Sequence, residues 1–322
     1  MHVWKKTGKV LAWILAGLAA LMLVLYVGVT ILYAHFFGNA EGMFRIPGLM
    51  DGFVPQGFHY VQEQNVYLIS GYMKDHSASR IYIRDGVGKI RVVELLAQDG
   101  SAYVEHAGGV TVNGDFVYMP SQMGVDVFSL ADLLDDDTAV MLGKIAGEYD
   151  TDCITFHDGY LYVGDFYHGG VYETPEAHHV TTPAGDTNQA IIAVYKADGT
   201  AAFGIAPQPV AAISIREKVQ GIGFTQDGQM VLSTSYGIAH SGLWFYELEE
   251  NRQGSLEMMG QEVPLYYLDS ENLVKHVEMP PMSEEVVCKD GKVYVLFESA
   301  CTKYLFGNLI RGTHVYAYEM AN

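Results

Sequence analysis

Residues 283–300 read SEEVVCKDGKVYVLFESA, and the order of their parts decides the fold. A polar opening, Ser283-Glu284-Glu285, leads into an apolar run that Asp290-Gly291 interrupts. A second run rich in Val then ends in Glu-Ser-Ala. Asp-Gly between apolar runs is a strong hairpin signal, because both central residues of a type I′ turn need positive φ. Four other stretches follow the same plan: Pro55-Gln56-Gly57-Phe58 through YLISGYM, residues 106–110 (HAGGV) through FVYMPSQMG, Asp152-Cys153-Ile154 through DGYLYVGDF, and Val219-Gln220-Gly221-Ile222 through DGQMVLSTSYG. Each is followed by one more alternating run: SRIYIRD, GVDVFSL, AIIAVYKADG, GLWFYELEE and THVYAYEM.

Units of four antiparallel strands opening at residues 55, 106, 152, 219 and 283 are the signature of propeller blades. The sequence therefore predicts an all-β chain, a β-propeller of five four-stranded blades; a sixth, degenerate blade within the long 152–219 interval is the alternative. The last unit lacks a fourth strand, whereas residues 43–47 (MFRIP) precede the first unit as an orphan. Pairing the orphan with the last blade closes the ring and hides an edge. Beyond the N-terminal segment, the main helix expected is at residues 130–134 (LADLL).

That N-terminal segment is of a different kind. From Val10 to Phe37 no Asp, Glu, Lys or Arg occurs, a length above the ~20 apolar residues that span a bilayer. Lys5, Lys6 and Lys9 precede it; the rest of the chain carries 16 basic and 38 acidic residues, a net −22. By the positive-inside rule the expected organisation is a cytoplasmic N-terminus (1–9), a single-pass signal-anchor helix (10–37) in the cell membrane and an extracellular propeller (40–322). A chain this acidic is not a nucleic-acid binder. With 49% hydrophobic residues it can bury a large core.

In a propeller the inner strand of each blade starts on the face where the loops joining second to third strands also end. Gln56, His106, Asp152, Gln220 and Glu284 are thus placed to ring the channel mouth, one per blade. Polar side chains where the repeat otherwise demands apolar residues or glycine are unusual for a purely packed channel. Second-to-third strand loops add Tyr72 to Arg80, Asp165, Tyr236, Glu298 and Lys303. The ligand-binding candidates are Gln56, His106, Gln220, Tyr72, Arg80, Tyr236 and Lys303. Asp152 and Glu284 are hard oxygen donors suited to Ca²⁺ or another divalent cation, and His106 is the candidate general base. The Pro/Gly/Thr-rich excursion 168–189 reads as a rim loop or lid, with His178 and His179 in solvent. Asp135-Asp136-Asp137 reads as a solvated loop. The odd number of cysteines, Cys153, Cys288 and Cys301, suits buried free thiols. Asp290-Gly291 sets Cys288 opposite Val293, too far from Cys301 for a bridge.

The motifs PQGF, HAGGV, VQGIGF and MPPMSEEVV followed by DGKVYVLFESA resemble those of bacterial membrane-anchored β-propellers of the gluconolactonase/SMP-30-like and YncE-like groups. The similarity covers about residues 43–320. It implies a divalent cation held at Glu284 and Asp152. Glu285 departs from the pattern, standing where a glycine usually follows. Three functions fit the sequence: a membrane-tethered propeller binding a small ligand or protein at its mouth, a divalent-metal-dependent hydrolase of lactonase or phosphohydrolase type, and a scaffold in a cell-envelope complex. Whether a reaction is catalysed is not written in the sequence.

Overall fold

The computed structural model describes residues 2–248, 253–304 and 306–320. Met1, Asn322 and the Glu249-Glu250 end of the expected run GLWFYELEE lie outside the described residues.

Five sheets follow one another around a common axis. The blades are built on Phe53–Val61, Thr111–Asn113, Cys153–His157, Val219–Phe224 and Ser283–Lys289 as inner strands. Each pairs antiparallel with the next strand of its unit. The hairpins fall where the sequence predicts; Cys288 lies opposite Val293. All three thiols are free, with Cys153 and Cys301 buried and Cys288 partly so. The chain is a five-bladed β-propeller.

The ring closes through Ala40–Arg45, which pairs antiparallel with His314–Glu319 from Ala40↔Tyr318 to Arg45↔His314. The clasp thus begins three residues before the run MFRIP. The long 152–219 interval holds no sixth blade: its surplus forms the rim excursion, and Ile205–Ile215 is the fourth, outer strand of blade three. Similarly, surplus residues between the third and fourth strands of blade four, Ser241–Tyr246 and Leu273–Met279, form the hairpin Gln253–Met258/Gln261–Tyr267, which adds in parallel to that same outer strand. Leu130–Asp135 is helical, with the Ser129 hydroxyl capping Asp132 N at 3.2 Å.

A helix runs His2–Leu32, and within it Lys9–Leu32 has a mean hydropathy of 2.6 and is long and apolar enough to cross a membrane. It ends at Leu32, and a short second helix, Ala34–Asn39, docks between blades four and five. Phe36, which the sequence assigns to the spanning segment, belongs to the propeller core: fully buried, it stacks on Tyr318 with ring centroids 5.9 Å apart. Burying such a ring stabilises the docked geometry by about 1.5–3 kcal/mol.

Candidate functional site

Three inner strands carry an irregular register at their first residues, between Pro55 and Gly57, Val219 and Gly221, and Ser283 and Val286. Bulges re-aim side chains, and here they turn Gln56, Gln220 and Glu284 toward the mouth. His106 and Asp152 sit just ahead of their strands. All five line one cavity of about 650 Å³ on the axis, together with Tyr72, Tyr236 and Lys303. Arg80 does not join them. It is held on the outer part of blade one by Glu94, Nη2 to Oε1 2.9 Å, because its strand places it across from that carboxylate.

One polar chain crosses the wall. Gln56 Nε2 donates to Glu298 Oε2 and to Pro55 O, each at 2.8 Å, while Gln56 Oε1 is hydrogen-bonded to His106 Nε2. Tyr72 lies against the His106 ring, centroids 4.7 Å apart, and Lys303 Nζ donates to the Tyr72 hydroxyl. Burial pushes the Glu298 carboxyl up to about 7, with Lys303 and Gln56 pulling it back. Glu284, fully buried beside Glu298, is raised well above the carboxylate range by burial and then by that neighbour. His106 is exposed on the cavity wall, yet desolvation by the surrounding protein atoms and then Lys303 lower its pKa to about 4. It is a neutral imidazole at physiological pH.

A second acidic group stands on the wall built by blade three. Asp152 is half-buried and raised to about 7, first by burial and then by Asp165 and Asp150. Asp165 is buried, accepts from Ile191 N at 2.7 Å and is hydrogen-bonded to His178 Nδ1 at 2.6 Å. His178 is therefore not in solvent as the sequence suggests: it is 5% exposed and packs edge-on against Tyr149. His179 is half-buried, with its Nε2 3.0 Å from the Thr174 hydroxyl. The excursion is a packed rim, with Tyr172, Glu173 and Thr174 in the cavity wall. Its signal was a buried Asp partner, which adjacent histidines in a polar loop do not reveal.

Asp152 and Glu284 face different carboxyl neighbours, Asp165 and Asp150 for the one, Glu298 and Glu285 for the other. Among the described residues no three His, Cys, Asp or Glu side chains form a group able to hold a metal ion. The donors present do not fit a cation shared by Asp152 and Glu284.

Below the cavity the channel is closed. Gly57, Gly109 and Gly221 let the inner strands approach: a Cβ on Gly221 would stand 2.6 Å from Glu285 Cα, and one on Gly109 2.7 Å from Glu285 Oε2. Glu285 fills the remaining space from blade five, its Oε1 accepting from Ile222 N of blade four at 3.0 Å. Burial raises its pKa well above the ordinary range. A second, separate cavity of about 600 Å³ opens on the far side of this plug.

No family model and no curated protein matches this chain. Among solved structures it is similar to the PQQ-bound aldose sugar dehydrogenase of Streptomyces coelicolor, at 12% identity and a TM-score of 0.47, covering 86% of this chain and 96% of that one. It is also similar to the GH43_1 enzyme of Xanthomonas citri complexed with xylose, at 12% identity and a TM-score of 0.46, with 88% and 91% covered. A third similarity is to Kuenenia stuttgartiensis hydrazine synthase, at 12% identity and a TM-score of 0.38 over 76% of this chain; the match spans 55% of that longer chain. Three unlike chemistries on one architecture carry no argument about this chain's own.

Proposed function

We propose that this protein is a propeller tethered outside the cytoplasm by its N-terminal helix, and that the mouth cavity binds a small organic cation. One observation carries this reading. The described cavity wall holds seven carboxyl side chains, Glu105, Asp150, Asp152, Asp165, Glu173, Glu284 and Glu298, against the single ammonium of Lys303. Even with Glu284 held protonated by burial the acidic groups outnumber the ammonium, and a concave, low-dielectric wall of one sign concentrates ligands of the other. Six aromatic rings, Tyr72, Tyr149, Phe166, Tyr172, Tyr236 and Tyr304, share the wall and offer π-faces to an ammonium group. The Tyr149 hydroxyl, buried with no partner among the described residues, is a free hydrogen-bonding group in the same wall.

Proton linkage supports the same reading. Asp152 and Glu298 titrate near neutrality, so an entering cation stabilises their ionised forms and displaces protons. The finer resemblance to gluconolactonase/SMP-30-like and YncE-like propellers would add a divalent cation on Glu284 and Asp152, to which the described residues add no third His, Cys, Asp or Glu ligand. His106 with a pKa near 4 is a weak base, so binding suits the wall better than general-base hydrolysis. Calorimetric titration with choline, ethanolamine and putrescine, with glycerol as the neutral control, tests the proposal. Saturable binding of at least one amine and none of glycerol is expected; equal responses, or none, would refute it.

A further inference from the structure

We propose that the mouth face of the propeller lies against the bilayer that holds the N-terminal helix, because the loops that line the cavity also grip the end of that helix and present apolar side chains beside it. The inference rests on the membrane-tethered reading above and adds an orientation to it.

The grip is specific. Ser235 and Tyr236 line the cavity, and five residues past Ser235 the same loop carries His240, whose Nδ1 is 2.7 Å from the Tyr33 hydroxyl. Lys303 and Tyr304 line the cavity, and their loop carries Arg311, whose guanidinium lies over the rings of Phe37 at 4.0 Å and Tyr26 at 5.8 Å. Tyr26 lies in the last two turns of the helix and Tyr33 follows directly on its end, so both grips fall where the span meets the propeller. The apolar span thus leaves the propeller beside the mouth: Val29 near its end packs against the core, while residues 9–28 are exposed.

The rim supplies the second observation. Met50, Val104, Met123, Val171, Tyr172 and Ile238 are 51–80% exposed, and they belong to the loops that meet at the mouth. Glu105, Gln122, Tyr172 and Gly237, in or beside these positions, line the cavity itself. The opposite face is built by the hairpin turns, where Asp115, Asp158, Asp227 and Asp290 sit and where Val87 is exposed. Carboxyl groups occur on both faces, those of the mouth gathered largely in the cavity wall, but the exposed apolar loop tips cluster beside the helix, as in a module that dips one rim into the interface. Ligands would then reach the cavity along the bilayer surface.

The test uses the full chain reconstituted in phosphatidylcholine vesicles. An environment-sensitive fluorophore is attached at Ile238→Cys or Met123→Cys on the rim, or at Val87→Cys on the far face, and the unsubstituted chain labelled in parallel gives the background. Quenching by lipid-borne nitroxides severalfold stronger at positions 238 and 123 than at 87 is expected. Equal quenching, or stronger quenching at 87, from protein that stays with the vesicles through an alkaline carbonate wash would overturn the orientation alone. Release by that wash would overturn the tether, and the orientation with it.

Discussion

Glu284 and Glu285 are neighbours in one irregular stretch of inner strand, yet they serve opposite sides of the channel floor. Glu284 lines the mouth cavity, whereas the Glu285 carboxyl crosses the axis to accept from Ile222 N at 3.0 Å and borders the far cavity. A regular strand also alternates its side chains, but a bulge lets both carboxyls be buried at the axis without facing the core of their own sheet.

Glu285 should behave as a neutral plug. Replacing it with Ala removes a hydrogen bond and leaves a hole among the glycines, so Glu285→Ala should cost about 2–4 kcal/mol in urea unfolding. Glu285→Gln preserves the acceptor and the volume, and its cost should stay within about 1 kcal/mol. An equal, large cost for both would mean that the ionised carboxylate is what the axis requires.

Asp152 and Glu298 should oppose the fold at alkaline pH. Their ordinary values of 3.8 and 4.5 rise to about 7 in the fold, so the folded chain binds more protons across that window. The stability they contribute therefore falls as pH rises from about 4 to 7, and the loss is complete above 7. Asp152→Asn and Glu298→Gln should each raise stability at pH 8 by about 1–2 kcal/mol, less than the full shift implies because water reaches the cavity. Neither should raise it at pH 4. Melting curves of the variants against pH check this; a gain that does not depend on pH would contradict it.

Closure of the ring should depend on Phe44. It sits on the clasp strand at 9% exposure and meets Phe58 and Tyr67, with ring centroids 6.4 and 5.2 Å away. Phe44→Ala should cost about 3–5 kcal/mol and promote aggregation through the freed edge of His314–Glu319. Unchanged melting and light scattering would show that the clasp strand contributes nothing.

Calcium should be a poor ligand of the cavity. Millimolar Ca²⁺ or a chelator should leave the melting temperature of the full chain unchanged, since among the described residues no three acidic, His or Cys side chains form a group able to hold the ion. A clear upward shift with Ca²⁺, lost in Asp152→Asn, would restore the metal reading.

The propeller was legible because Asp-Gly turns and repeated openings are local signals, and the placement of Gln56, His106, Asp152, Gln220 and Glu284 follows from repeat symmetry alone. What symmetry does not carry was less visible. Arg80 left the cavity because the fourth strand offered Glu94 as a cross-strand partner. His178 turned inward because Asp165, thirteen residues earlier, is a buried carboxyl needing a donor. Phe36 read as part of an apolar span because hydropathy does not distinguish a lipid-facing ring from one packed on Tyr318.

Proton release on ligand binding is the measurement that reaches the central claim most directly. Titrating the full chain with the tightest-binding amine at pH 7, in two buffers of different ionisation heat, gives the number of protons exchanged. A cation that settles in the cavity beside Asp152 or Glu298 should expel a measurable fraction of a proton, bind more tightly at pH 8 than at pH 6, and lose the linkage in Asp152→Asn with Glu298→Gln. Binding with no proton exchange and no dependence on pH, unaffected by that double substitution, would contradict the account.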